Sequence, residues 1–488
     1  MSVTRRELLT RSAAGFGLAV VGKATGVLDV AAAGAMGGHG RGNYGPLAPL
    51  APANGGVPVL ALPDGFTYVT FGATGAPLMS GGVHAQNHDG TAALPTRWRK
   101  VARLTRNQEV RTGPGTPEGI GAVGGPAETK YDAQGVGGVT VIDFDTRSGT
   151  VVNEFVGING TIVNCAGGIA KHDSGWITCE ETIAGPAQGW EQKHGYAFLL
   201  PGDATATVPA VPITGMGRFS HEACAVDLRG IVYQTEDAGS GRPSGLYRYV
   251  PNDPRDLSAG GALEMLGIEG QPGVDLREGR TVGEKLRVTW VPVDNVDPDP
   301  VIDFGAVGAN SCFTQGHTAG GAGFNRLEGI WAAGNRIVFI STSGGDVKNG
   351  DVNSDGYAEG YGQIWEYRAN SDKLKLIYES TGVGALDSPD NVTITPRGGI
   401  ITCEDDASDI DADTHPLAPG IENVNRVIGL VPGGEPFEFA VNVLNDSEFA
   451  GACFSSDGAT LFVNVFGGSE AGSGMTCAIT GPWRRGGL

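Results

Sequence analysis

The feature that most constrains this chain is a repeat. Residues 164–182, NCAGGIAKHDSGWITCEET, and residues 390–406, DNVTITPRGGIITCEDD, write the same short strand, turn and second strand ending in paired acids. The same plan recurs in HEACAVDLRGIVYQTEDAGS, in LEGIWAAGNRIVFISTSGGD and in FAGACFSSDGATLFVNVFGG. Each copy is followed by a further apolar or aromatic segment: GYAFLL, GLYRYV, GQIWEY, NRVIGLV or MTCAITGPW. Apolar, β-branched runs bounded by Gly, Asp and Asn turns are strands. A repeated unit of strand, hairpin, strand, loop and strand predicts a propeller blade. A sixth copy spans GGVHAQNHDGTAAL through WRKVARLTR to GGVTVIDFD. The expected fold is therefore all-β, a six-bladed β-propeller with long insertions between blades. One domain spans 45–488, and the Asp- and Pro-rich stretch 251–323 is expected as an insertion without its own core. The 81 glycines and 28 prolines agree with many tight connections and few helices.

The N-terminus points to export. Residues 1–36 pair Arg5 and Arg6 ahead of a weakly apolar run and the small-residue tract AAAGAMGG, the pattern of a twin-arginine signal. The twin-arginine translocation machinery is thus an expected partner, and a secreted or periplasmic location is expected. That route carries folded proteins, which suits a cofactor loaded before export. No other segment has the apolar length of a membrane helix, so no span is expected in the mature chain. A formal charge of −20 disfavours nucleic acid and favours divalent cations. The seven cysteines are an odd number, and several lie in apolar runs such as ITCE, where a thiol packs as a small hydrophobe.

In a propeller the innermost strands line one channel, so equivalent early positions converge. Aligned on the turns, those positions hold Cys165, Glu222, Glu328 and Asp390. Three carboxylates and a thiol repel one another unless a cation lies between them. The second strands end in a further acidic set, Glu180 and Glu181, Glu236 and Asp237, Asp346, and Glu404 and Asp405, expected at the same channel end. Hard oxygen donors suit Ca²⁺, and a thiolate among them suits iron.

In this order the pieces NHDG, NCAGG, TCEE, RFSHEA, NRLEGIW, SPDNV, CEDD and EFAGACFSSDGATLFVNVFGG resemble the PhoX family of secreted bacterial alkaline phosphatases. The resemblance implies a six-bladed metallophosphatase whose site holds two ferric ions and calcium ions joined through an oxo group. It places the family's cysteine iron ligand on Cys165 and its glutamate ligands on Glu222, on Glu328, and on Glu180 or Glu181. It makes Arg326 the arginine that contacts substrate phosphate. The full expected metal set is Cys165, Glu180, Glu181, Glu222, Glu328, Asp346, Asp390 and Glu404, with Fe³⁺ and Ca²⁺ as cofactors. Arg326, Glu222 and Glu328 are expected to carry the catalysis, small phosphorylated compounds to be the substrates, and the protein to be a monomer. Alternatives are a calcium-dependent propeller lactonase or esterase, and a non-catalytic propeller that binds a partner in the cell envelope. His221 is expected to orient its neighbour Glu222. DVNSDG at 351–356 has calcium-loop spacing without the closing glutamate.

Overall fold

The computed structural model describes residues 43–488 apart from 99, 300–309, 346–355, 358 and 406–413. The signal segment 1–36, Asp346, and the residues 351–355 of the calcium-like loop lie outside the described residues.

Six short strands occupy equivalent places: β1 (His88–Pro95), β2 (Asn164–Ile169), β3 (His221–Val226), β4 (Leu327–Ala333), β5 (Pro389–Ile394) and β6 (Phe449–Phe454). Each neighbours the next, and β6 neighbours β1, so the six close a ring. Each pairs antiparallel with a second strand one turn later, respectively Val101–Gln108, Gly175–Glu180, Val232–Glu236, Arg336–Ser341, Ile400–Glu404 and Thr460–Val465. The fold is all-β and propeller-like, with one short α-helix, Cys312–Thr318, and five single-turn 3-10 segments among the described residues.

The sheets are not six separate blades. The third and fourth strand groups join edge to edge through Lys285–Pro292 and Lys373–Glu379 into one nine-stranded sheet, and the second group has three strands. The stretch expected as an insertion contributes to this fusion, because Asp256–Ile268 and Lys285–Pro292 continue the third group outward. The N-terminal region also departs from a simple linear array. Thr67–Phe71 is the outer strand of the C-terminal sheet, and Leu60–Pro63 and Leu47–Leu50 extend the fifth.

Apolar residues fill the wedges between neighbouring sheets. Val139, Val141, Trp176 and Phe198 pack between the first and second groups; Val338, Ile364, Val392 and Ile428 pack between the fourth and fifth. Middle strands are buried on both faces, which is why they read as near-continuous apolar runs. All seven cysteines are buried and unpaired by disulfides, as the apolar settings of ITCE and GACFSS suggest. Among the described residues no helix is long and apolar enough to cross a membrane. Trp331, on β4, packs against apolar groups from three different sheet interfaces.

Candidate metal centre

The same backbone irregularity recurs at the start of every inner strand. In β1 to β5 the first residue pairs normally, His88 with Gln108 and Asn164 with Glu180 for example, and the register then slips by one residue before Thr91, Gly167, Cys224, Ile330 and Val392. A bulge of this kind re-aims the side chain it carries. The first residue inside each slip is Asp89, Cys165, Glu222, Glu328 or Asp390. In β6 the slip comes one residue later, so the second strand residue, Ala450, is still paired, while Glu448, immediately before the strand, brings a carboxylate instead.

A repeated hydrogen bond fixes the strand ends. The N–H groups of Glu109, Glu181, Asp237, Thr342, Asp405 and Phe466 donate to the carbonyls of Asn87, Val163, Ser220, Arg326, Ser388 and Glu448, over 2.9 to 3.2 Å. Four of those acceptors, Asn87, Val163, Arg326 and Ser388, hold a positive φ between 40° and 60°. That backbone is costly for non-glycine residues, and its recurrence ties the cost to the turn into the ring. The left-handed conformation of Arg326 is thus a property of the architecture.

The pattern also explains the paired acids. Successive strand residues face opposite ways. The first acid of each pair turns outward and satisfies buried donors. Glu180 accepts from the N–H groups of Ile162, Gly195 and Tyr196 and pairs with His194 Nδ1 at 2.7 Å. Glu236 accepts from Gly245 N–H and Tyr247 Oη. Glu404 accepts from Asp387 N–H and forms a buried pair with Arg426 at 2.7 Å. The second acid, Glu109, Glu181, Asp237 or Asp405, faces the ring.

The inward side chains form four overlapping groups, in each of which the potential ligand atoms lie within 4.8 Å of one another: Asp89, Glu109 and Cys165; Cys165, Glu181 and Glu222; Glu222, Glu328 and Asp390; Asp390, Asp405 and Glu448. Consecutive groups share a residue, so eight carboxylates and one thiol trace an arc around the channel. Burial, and then the neighbouring carboxylates, push the Asp89, Glu222, Glu328 and Glu448 carboxyls well above their usual range, and the Cys165 thiol as well. Burial, followed by Asp405, raises Asp390 to about 7. Cys165 Sγ donates to Glu222 Oε1 at 3.0 Å, while Glu222 Oε2 is fully buried with no partner among the described residues. Leaving a buried carboxylate oxygen unpaired is costly, and a cation removes that cost.

Two arginines reach this arc. Arg326 Nη2 donates to Asp237 Oδ2 at 2.8 Å and Glu328 Oε1 at 2.9 Å. Arg111 Nη2 donates to Glu109 and to Glu181.

Of the residues expected from sequence, the structure brings Cys165, Glu181, Glu222, Glu328 and Asp390 together and sets Arg326 against Glu328. It does not bring Glu180 or Glu404 to them, for the reason of strand alternation just given. His221 does not hydrogen-bond Glu222: it stacks on Phe219 at 3.6 Å and pairs Nε2 with the Gly217 carbonyl. Asp89, Glu109, Arg111 and Glu448 were absent from the expected set, and Asp405 was expected only as an acid at the channel end. Glu109 had a signal, since Gln108–Glu109 ends its strand as Glu180–Glu181 ends the next. Arg111 and Glu448 had none, because each lies just outside a strand and off the repeated positions.

A family model for alkaline phosphatase PhoX matches residues 42–468. No curated protein sequence matches the chain. Among solved structures, Pseudomonas fluorescens PhoX, determined in complex with vanadate, a transition-state analogue, superposes with a TM-score of 0.63 at 19% identity, covering 91% of this chain and 98% of that one. A gluconolactonase from Xanthomonas campestris matches with a TM-score of 0.38 at 11% identity over 91% of this chain and 98% of its own. Regucalcin, a calcium-binding protein from Agrobacterium tumefaciens, gives 0.37 at 10% identity over 82% and 92%. These last two likenesses are too loose to bear on function.

Proposed function

Because the chain belongs to the PhoX alkaline phosphatase family, we propose that it is an exported phosphatase that hydrolyses phosphate monoesters at an iron and calcium centre held in the ring. The observation that carries this is the buried, unpartnered oxygen of Glu222 amid eight inward carboxylates and a thiol. We read the ring as a six-bladed propeller whose third and fourth blades are fused.

The donor set fits the two metals. Cys165, Glu181, Glu222 and Glu328 supply the thiolate and carboxylates that suit iron; Asp89, Glu109, Asp390, Asp405 and Glu448 supply the hard oxygens that suit calcium. When bound, such cations supply Lewis acidity that offsets charge on a phosphoryl group. The protein's own contribution is positional. Arg326 is permanently charged and its fork is held by Asp237 on one side, so it meets a phosphate already oriented. Its Nη1 has no partner among the described residues and can donate to a substrate oxygen. The surrounding burial strengthens each of these interactions. Glu180 and Glu404 are left out of the centre; they hold the loops that lead into β2 and β5.

Elemental analysis of the purified protein, with hydrolysis of a chromogenic phosphomonoester measured before and after calcium chelation, tests this. Iron with calcium and chelator-sensitive hydrolysis is the expected result. Calcium without iron, and no phosphate release, would sink it and favour a lactonase or a binding propeller.

A further inference from the structure

Resting on the phosphatase reading, we propose that Arg111 is a second phosphate-contacting residue, alongside Arg326, which selects dianionic monoesters over monoanionic diesters. The two arginines are arranged alike. Each uses one Nη2 to touch two carboxylates from adjacent strand groups: Arg111 spans Glu109 of the first group and Glu181 of the second, and Arg326 spans Asp237 of the third and Glu328 of the fourth. Arg111 therefore touches the Cys165, Glu181 and Glu222 group through Glu181, and Arg326 touches the overlapping Glu222, Glu328 and Asp390 group through Glu328.

Both keep unused donors. Among the described residues, Arg111 hydrogen-bonds only through Nη2, which leaves Nε and Nη1, and Arg326 keeps Nη1. Both arginine side chains are partly exposed, at 37% for Arg111 and 19% for Arg326, while the carboxylates they touch are at 10% or less. A guanidinium stays charged at any working pH and matches phosphate oxygens in its fork. One such fork beside a metal group suffices for a diester, which has two free oxygens and one negative charge. Two forks match a terminal phosphate with three free oxygens and two charges. A role confined to neutralising Glu109 and Glu181 uses only Nη2 of Arg111 and leaves its other donors for a substrate.

The test uses the full, metal-loaded protein and the variants Arg111→Ala and Arg111→Lys. Inorganic phosphate binding is measured by calorimetry, kcat and KM are measured for a nitrophenyl phosphomonoester and a bis-nitrophenyl diester, and iron and calcium are measured on the same samples. Arg111→Ala is expected to weaken phosphate binding and raise monoester KM by roughly 10- to 100-fold, the loss of charged hydrogen bonds. Diester hydrolysis is expected to change less, metal content to hold, and Arg111→Lys to recover phosphate affinity in part. Phosphate affinity and monoester KM equal to wild type, or a loss explained by missing metal, would overturn the proposal. Wild-type protein that contains the metals yet neither binds phosphate nor cleaves the monoester would overturn the phosphatase reading itself, which an active wild type beside an unaltered Arg111→Ala would not.

Discussion

At the scale of single residues, adjacent acids do different work, and this separates predictions that composition would merge. Glu181→Gln is expected to lower metal content in the proposed centre with a small effect on unfolding. Glu180→Gln is expected to leave metal content near wild type and cost about 1–3 kcal/mol in chemical denaturation, because it disturbs buried donors at Ile162, Gly195 and His194. Cys165→Ser is expected to keep calcium and lose iron, with hydrolysis falling to background, since a hydroxyl is a poor substitute for a thiolate at iron. His194 gives a pH signature. Burial alone would lower its pKa, but the Glu180 charge and the hydrogen bonds its ring donates to Asp132 and Glu180 outweigh that and raise it to about 9. A raised histidine contributes stability that is full below about 6.5 and lost as pH rises through about 9. Thermal unfolding of wild type should therefore fall over that window, and His194→Gln should flatten the fall.

At the scale of elements, the ring depends on how closely the inner strands approach. A Cβ built on Gly90 of β1 would lie 2.4 Å from Ala166 Cα of β2, and one on Gly329 of β4 would lie 2.7 Å from the Asp390 carbonyl of β5. No side chain fits there without moving a ligand-bearing bulge. Gly90→Ala is expected to lower stability by about 1–3 kcal/mol and to reduce metal content together with it, read by thermal unfolding and elemental analysis on one sample. The strands themselves were plain in the sequence, because each is a short apolar run closed by a turn. The bulges were not, since a one-residue slip has no compositional mark and its effect is to change which way a side chain points. That is why the position of Cys165, Glu222, Glu328 and Asp390 could be aligned on the turns, while the choice between Glu180 and Glu181 could not be made.

At the scale of the whole molecule, the proposed cation centre predicts that the acidic arc ties stability to metal. Burial and Asp405 raise Asp390 to about 7 in the absence of cations, so its contribution is full below about 4 and lost as pH rises through about 7. Chelated protein is expected to melt at progressively lower temperature across that range, and protein reloaded with metal to escape the decline; identical curves for the two would count against a cation site. The sequence by itself determined the repeat, the all-β class, the family and most of the inward acids, because turns, apolar runs and repeated motifs are local and survive without coordinates. Tertiary structure decided what depends on closure: the fusion of two strand groups, the return of Thr67–Phe71 to the last sheet, and the meeting of Arg111, Glu109 and Glu448 with the other acids. Those contacts join residues far apart in the chain, and only the angle at which neighbouring sheets pack brings their side chains within reach of one charge.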